Sequence, residues 1–360
     1  MRLDAFTERV MRKNKSNQSR LPLTISAQYG LVDQITFFNK VVASTDLSNY
    51  YLLKKGEFAY NKSYSSDYPW GAIKRLDNYD QGALSSLYIC FAPQDNVVSD
   101  FILQYFESPK WHKGISEIAV EGARNHGLLN VAVQDFFHTY HYVPKDKKEQ
   151  IKISKLLMLL DERISTQNKI IEDLKKLKSA ISENLFKDVK GDVVALSEIC
   201  EIIKGKQING EFLSERGKYY VMNGGTEPSG YYSDYNVEAN TISISEGGNS
   251  CGYVQFNTSP FWSGGHCYTI QEIADNVDNL YLYHFLKSKE DAIMKLRIGS
   301  GLPNIQKKDL AIFKIKIPTV EQQTKISTFL SSLERKVEIE EIIQDAMQKE
   351  KQYLLHQMFI

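Results

Sequence analysis

The sequence predicts an α+β protein: two mostly β domains separated by two long α-helices packed as an antiparallel coiled coil, forming an internal repeat with pseudo-twofold symmetry. Three observations predict it. The chain matches itself at an offset near 174 residues, far beyond solenoid periods and therefore a duplicated domain. Each copy ends in a stretch of about 40 residues without Gly or Pro, long enough for one continuous helix. The rest is cut by Gly- and Asn-rich punctuation into short apolar or alternating runs, the pattern of β modules.

The repeat comes first because it sets every boundary. Gly127-Leu128-Leu129-Asn130 is answered by Gly301-Leu302-Pro303-Asn304, and Asp135 and Pro144 by Asp309 and Pro318. Beyond the prolines the offset falls to 173: Gln150-Ile151-Lys152-Ile153-Ser154 matches Gln323-Thr324-Lys325-Ile326-Ser327. The match runs on through Leu160/Leu333, Asp161/Glu334, Arg163/Lys336, Ile164/Val337 and Phe186/Phe359. The slip belongs to the loop, because each helix start keeps its own cap. Asp146 stands three before Glu149, and Thr319 three before Gln322, both in capping-box spacing. The resulting plan is a first domain over 1–143, a helix over 144–187, a second domain over 188–317 and a helix over 318–360.

At ~1.5 Å per residue each helix spans roughly 60 Å. In the first, Leu157, Leu160, Ile164, Ile171, Leu174, Ile181 and Leu185 recur at steps of three and four, broken by Gln167 and Lys178. The second carries a poorer seam of Phe329, Leu333, Val337, Met347, Leu354 and Met358. Either helix alone would expose its stripe, so the economical solution is to pair them, solvated helix faces being the alternative. Charge favours pairing with each other over self-pairing: residues 145–187 hold 11 basic and 7 acidic groups, residues 318–360 hold 5 and 7. In the β domains, Thr241–Ser245, Ala311–Ile317 and Phe136–Tyr142 read as strands.

With 360 residues, 42% of them hydrophobic, each domain can bury its own core. Forty-four basic and 44 acidic groups leave no net charge, which argues against coating nucleic acid by electrostatics alone. The 21 tyrosines suit a recognition surface, or half-buried strands. Cys90, Cys200, Cys251 and Cys267 show no C-x-x-C spacing, so neither a zinc knuckle nor a disulfide framework is expected. The start, Met1-Arg2-Leu3-Asp4-Ala5-Phe6, has no apolar h-region, and a cytoplasmic protein is expected.

Several segments carry a family resemblance. Leu53-Lys54-Lys55-Gly56-Glu57-Phe58-Ala59-Tyr60-Asn61-Lys62-Ser63 with Gly71-Ala72-Ile73-Lys74-Arg75-Leu76, the helical Leu159-Leu160-Asp161-Glu162-Arg163-Ile164, and the strand-proline-helix junction Ile317-Pro318-Thr319-Val320-Glu321-Gln322-Gln323 resemble the specificity subunits of type I restriction-modification systems. The resemblance covers essentially the whole chain and departs from the family in the short lead-in before residue 13. It implies that each β module is a target-recognition domain reading one half of a bipartite DNA sequence, and that the helix pair sets the spacer. It further implies two methyltransferase subunits docked on the helices and neighbouring surfaces, and restriction/translocase subunits joining for cleavage. S-adenosylmethionine, ATP and Mg would then sit on those partners, with no cofactor in this chain.

Candidate DNA contacts in the first domain are Arg9, Arg12, Lys13 and Lys15, then Asn61, Lys62, Ser63 and Tyr64, then Lys74 and Arg75. In the second they are Lys204 and Lys206, then Asn223, Thr226, Ser229, Tyr231 and Tyr232, then Asn249. Lys and Arg serve phosphates, and Asn and Arg can reach base edges in bidentate fashion; solubilising surface and turn chemistry are the plain alternative. Residues 188–317 hold 13 basic and 16 acidic groups, so this domain needs help in holding a duplex, and weak, salt-sensitive binding by the chain alone is expected.

No P-loop is present, nor the Asn-Pro-Pro-aromatic block of adenine methyltransferases, nor the acidic-plus-lysine block of restriction nucleases. Glu246-Gly247-Gly248-Asn249-Ser250-Cys251-Gly252 lacks the order of a nucleotide loop and reads as a β-turn. His138 and His141 lie three apart on an expected strand, facing opposite sides, and Gly265-His266-Cys267 has no second ligand pair nearby, so no metal site is expected. The sequence leaves open a protein-binding scaffold of duplicated β domains on a coiled-coil spacer, a self-contained enzyme with degenerate motifs, and an orphan specificity subunit serving a methyltransferase encoded elsewhere.

Overall fold

A computed structural model describes residues 1–40, 43–119, 127–299 and 303–359. Gly301 and Leu302 of the repeated motif lie outside the described residues. The chain forms two compact units, Met1–Gln167 with Ile343–Ile360, and Asn168–Ile342. Each takes one end of both long helices, α5 (Lys147–Asp188) and α9 (Val320–Met358).

In the first unit a four-stranded antiparallel sheet has the order β1-β8-β5-β6, from β1 (Thr7–Arg9), β5 (Phe58–Asn61), β6 (Ala72–Arg75) and β8 (Ile89–Pro93). A second, mixed sheet has the order β3-β2-β7-β4, from β2 (Pro22–Ser26), β3 (Gly30–Asp33), β4 (Tyr51–Lys54) and β7 (Gln81–Leu84). The short α1 (Gln34–Phe38) follows β3, capped by the Asp33 carboxylate on the Ile35 N–H. On the other face of the first sheet lie α2 (Ser99–Glu107), α3 (His112–Ile118) and α4 (Val133–His138), around an aromatic core that includes Phe58, Tyr60, Phe91, Phe101, Tyr105, Trp111 and Phe136.

The second unit repeats this frame. Its antiparallel sheet has the order β10-β16-β13-β14, from β10 (Glu201–Lys204), β13 (Thr241–Ser245), β14 (Val254–Asn257) and β16 (Cys267–Gln271). The companion sheet is three-stranded, β12-β11-β15, from β11 (Tyr219–Met222), β12 (Tyr231–Tyr232) and β15 (Trp262–Ser263). A ribbon of β9 (Asp192–Ala195) and β17 (Lys314–Ile317) joins the ends of the domain. The first unit keeps the germ of that ribbon: the Leu3 N–H donates to the Thr139 carbonyl at 2.9 Å, as the Leu196 N–H does to Phe313 at 3.0 Å. Helices α6 (Asn279–Ser288), α7 (Glu290–Met294) and α8 (Lys307–Ala311) complete it.

Two strand expectations need correction. Phe136–Tyr142 is not a strand: residues 133–138 form α4, and only Tyr140 bridges, to Arg2. The apolar positions Val133, Phe136 and Phe137 already sit at helical spacing, and burying both phenylalanines against the sheet decides the matter. Ala311–Ile317 likewise gives its first residue to α8 and only its last four to β17.

The long helices start where their caps predict. Asp146 Oδ1 accepts the Lys148 N–H at 2.8 Å, and Thr319 Oγ1 accepts the Gln322 N–H at 3.4 Å. One turn on, the repeated glutamine ties each helix to its own domain. Gln150 accepts from the Val98 N–H at 2.8 Å and donates to the Pro144 carbonyl at 2.7 Å. Gln323 accepts from Asp278 at 2.8 Å and donates to Pro318 at 2.9 Å. Both are fully buried, where an unmet amide would be costly.

Within each unit the two helices run antiparallel. In the first, Leu157 and Leu355 share the core, and Lys351 pairs with Asp161. In the second, Ile181, Ile326, Leu330 and Leu333 pack together, with Lys178 on Glu334 at 2.6 Å and Lys175 on Glu341 at 2.5 Å. The seam residues Leu157, Ile171 and Val337 are buried, and Leu160, Ile164, Leu174, Ile181, Leu333, Met347 and Leu354 are half-buried. Phe329 is a correction: it is exposed, and its neighbour Leu330 takes the buried position, because a one-residue step turns a helix by about 100°.

Candidate nucleic-acid interface

In the second domain five loops converge at the end of the sheet where β10 finishes. Gly205 donates to the Cys267 carbonyl at 2.9 Å and Lys206 to the Ser263 carbonyl at 2.8 Å, laying the chain after β10 across the chain before β16. This contact requires glycine. A Cβ on Gly205 would stand 2.2 Å from the Gly264 carbonyl oxygen, and one on Gly264 would stand 2.5 Å from Asn223 Oδ1. That Asn223 oxygen accepts the His266 N–H at 3.2 Å, binding the loop after β11 to the same place. Glu246 donates its N–H to the His266 carbonyl at 2.9 Å, and Gly248 donates to Pro303 at 3.0 Å. Lys204, Lys206, Asn223, Thr226 and Asn249, scattered over 46 positions of the sequence, therefore share one loop cluster. The 246–252 segment is a turn, as its glycines predict.

At the centre is Glu246, its side chain only 9% exposed. Its Oε1 accepts from Lys204 Nζ at 2.6 Å and from the Tyr268 hydroxyl at 3.0 Å. Burial, and then the Glu246 carboxylate, raise the Tyr268 phenol above its ordinary range, so the hydroxyl keeps its proton. Tyr232 meets the Trp262 ring edge-on, and the Trp262 indole donates to the Lys206 carbonyl at 2.9 Å, which links the tyrosine pair to this cluster. The Tyr231 backbone pairs with Tyr220 and Ser214. Ser229, exposed, donates its N–H to Val221 at 2.8 Å.

The first domain treats its candidates differently. Arg12 forms a fork onto Glu57, with 3.0 and 3.2 Å contacts, and donates to the Leu52 carbonyl. Lys74 pairs with Glu107 at 2.6 Å, while Arg75 pairs with Asp77 and Asp100, both at 2.7 Å; these contacts clamp α2 onto β6. With Lys74 and Arg75 each only 12% exposed, their charge is neutralised inside the fold. Lys13 is exposed, its ammonium 4.3 Å from the Tyr51 ring centre and 2.8 Å from the Asn49 carbonyl. Arg9 and Lys15 are exposed. Asn61 caps the Ser63 N–H at 3.0 Å, and the turn it makes presents Lys62 and the half-exposed Tyr64.

This turn shows what the repeated Gly-Leu-x-Asn motif does. Tyr64 donates to Gly127 at 3.1 Å and Leu129 to Lys62 at 2.9 Å; in the second domain a like pair of bonds falls about two repeat positions later, Gly248 donating to Pro303 and Ile305 to Glu246. In both domains the motif backs the loop leaving the third strand of the sheet. The sequence reading missed Glu246, His266 and Gln207 as members of the site. In the sequence Glu246 reads as part of a Gly-rich turn and His266 as a lone histidine, and no local signal brings them together.

His141, His284 and the thiols of Cys90, Cys200 and Cys267 are buried within the domains. Burial lowers His141 to about 3 and His284 to about 4; Tyr105 and Thr139 bond the first, and Ser331 the second. Burial pushes the Cys90 and Cys200 thiols to about 12, and Cys267 to about 11, so these stay protonated at neutral pH. No group of three metal-ligating side chains occurs among the described residues, and no described helix is long and apolar enough to cross a membrane.

Residues 188–349, which include this loop cluster, match the family model described as the type I restriction modification DNA specificity domain. The second half of the chain is thus similar to that domain. A putative type I specificity subunit of Mycoplasma pneumoniae is 32% identical over 167 residues, 46% of this chain and 44% of that protein. A putative specificity subunit of the restriction enzyme MjaX of Methanocaldococcus jannaschii is 23% identical over 303 residues, 73% of this chain and 68% of the relative. The chain thus spans less than half the length of the first of these relatives. Its fold is that of the crystal structure of a type I S subunit from M. genitalium, with a TM-score of 0.66, 18% identity, and coverage of 100% of this chain and 95% of that one.

Proposed function

We propose that this chain is the sequence-reading subunit of a type I restriction-modification complex. Each β domain reads one half of a bipartite DNA target, and the long helices set the spacer and dock two methyltransferase subunits. One observation carries this reading: two copies of the same sheet support two different companion sheets, which is what a reader of two unlike half-sites requires. The second domain supplies Lys204, Lys206, Asn223, Thr226 and Asn249 from its loop cluster, and the first supplies Lys13, Lys62 and Tyr64. Chemistry belongs to the partners, which bind S-adenosylmethionine for methylation and ATP with Mg for translocation and cleavage in the cytoplasm. A methyltransferase flips the target adenine out of the duplex to reach its exocyclic amine, so this chain's task is address and grip.

The test is methylome sequencing of cells carrying and lacking the gene together with its methyltransferase. A split adenine motif should appear and vanish with it. Methylation unchanged by deletion, or turnover by the purified chain alone on DNA with labelled S-adenosylmethionine, overturns the reading.

A further inference from the structure

The loop cluster of the second domain contains a carboxylate oxygen without a donor. Glu246 Oε1 is fully engaged, but Oε2 is buried and has no hydrogen-bond partner. Nδ1 of His266 lies 3.8 Å from it, just beyond bonding distance. A buried, unmet carboxylate oxygen is unfavourable, and a small rotation of an exposed imidazole would satisfy it. His266 has the freedom to make that rotation, its side chain being 64% exposed. Once Nδ1–H is on Glu246, Nε2 is left for whatever lies outside the cluster.

We propose that His266 is a DNA-phosphate contact of the second domain, charged by proton uptake when the duplex binds and aimed by the buried Glu246 carboxylate. This rests on the DNA-reading function given above. It answers a difficulty in the composition: the domain has more acidic than basic groups, yet must approach a polyanion. A histidine held between a carboxylate and a phosphate is favoured as an imidazolium with both N–H groups paired, which places positive charge against the DNA. The charged and titratable groups around it are Glu246, Lys204, which shares that carboxylate, and Tyr268, whose phenol stays protonated. The loops packed against it offer amides and backbone: Asn223 accepts its N–H, Gln207 lines Gly265, and Gly247 lies beside its ring. Glu246 acts through His266 and is a positioning residue, since less than 1 Å² of its Oε2 is accessible.

The sign follows from linkage. Phosphate favours the imidazolium, so the complex keeps the proton to higher pH than the free protein, binding takes up a proton, and affinity falls as pH rises through that window. The probe is a fluorescein-labelled mixed-sequence duplex of about 40 base pairs, titrated with the full chain by anisotropy at low, constant ionic strength. Between about pH 6 and about pH 8 the wild type should weaken roughly three- to tenfold. His266→Gln should flatten that dependence, and Glu246→Gln should weaken it by leaving the ring unaimed. The His266 ring proton followed by NMR provides a second measure: DNA should move its titration to higher pH. Equal pH slopes in wild type and His266→Gln, or a His266 titration unmoved by DNA, overturn the inference and leave the reading function standing. Failure of the wild type to bind the probe at any pH overturns both.

Discussion

The two β domains share one sheet and part company in the other. β1-β8-β5-β6 and β10-β16-β13-β14 have the same order and the same antiparallel sense, each with a helix carrying Phe101 and Tyr105, or Tyr281 and Phe285, against the long-helix ends. The companion sheets differ in strand number and order, four in the first domain and three in the second. Basic side chains divide less cleanly, since Arg9 on β1 is exposed and Arg12, off the sheet, is paired with Glu57. Lys74 and Arg75 lie on the shared sheet and are consumed by Glu107, Asp77 and Asp100, whereas Lys206 and Lys13 lie where the chain passes to the companion sheet and remain exposed. The duplicated sheet is the frame that meets the long-helix ends, and the two domains diverge in the companion sheet.

If the shared frame is truly duplicated, equivalent residues should fail equivalently. The largest effect is expected at Phe186 and Phe359, each wedged edge-on between two rings at 5.3–5.6 Å. Alanine at either should cost about 3 to 5 kcal/mol. Hydrogen exchange resolved by peptide should place the Phe186→Ala damage in the second domain and the Phe359→Ala damage in the first, although each phenylalanine belongs to the helix following the other domain. The opposite assignment would break the comparison.

A smaller loss, about 2 to 3 kcal/mol, is expected for Gln150→Ala and Gln323→Ala, since each strands a buried N–H and a proline carbonyl. Urea unfolding monitored in each unit would show whether the two glutamines carry equal weight. The smallest effect belongs to the ion pairs at corresponding repeat positions, Asp161 with Lys351 and Glu334 with Lys178. Charge reversal of Lys178 to Glu should cost about 1 kcal/mol, and adding Glu334→Lys should restore most of it; both groups are about a quarter exposed, which limits the pair's worth. A thermal-melt double-mutant cycle without recovery would assign Lys178 to solvent instead.

The frame was legible in the sequence because it rests on short-range signals. Asp146 and Thr319 mark helix starts, steps of three and four mark the seam, and Gln150 recurs as Gln323. Where a local signal was ambiguous, tertiary burial overrode it. Phe136–Tyr142 looked like a strand until Phe136 and Phe137 had to face one core together, and Phe329 lost its seam position to Leu330. The candidate contacts fared according to reach. Asn61 and Tyr64 are placed by their own turn, and Arg75 has Asp77 close by, but Glu57 for Arg12, Glu107 for Lys74 and Asp100 for Arg75 lie 25 to 45 positions away, where no pattern in the chain announces them.

By itself the sequence determined the duplication, the two long helices and the end of each that meets a cap, because periodicity and capping act within a few residues. Only the tertiary structure decided which charges are spent and which are free. An ion pair or a close glycine contact depends on where distant segments cross: Gly205 on Gly264, Asn223 beneath His266, and Lys204 over the buried Glu246 exist because five loops end at one sheet edge.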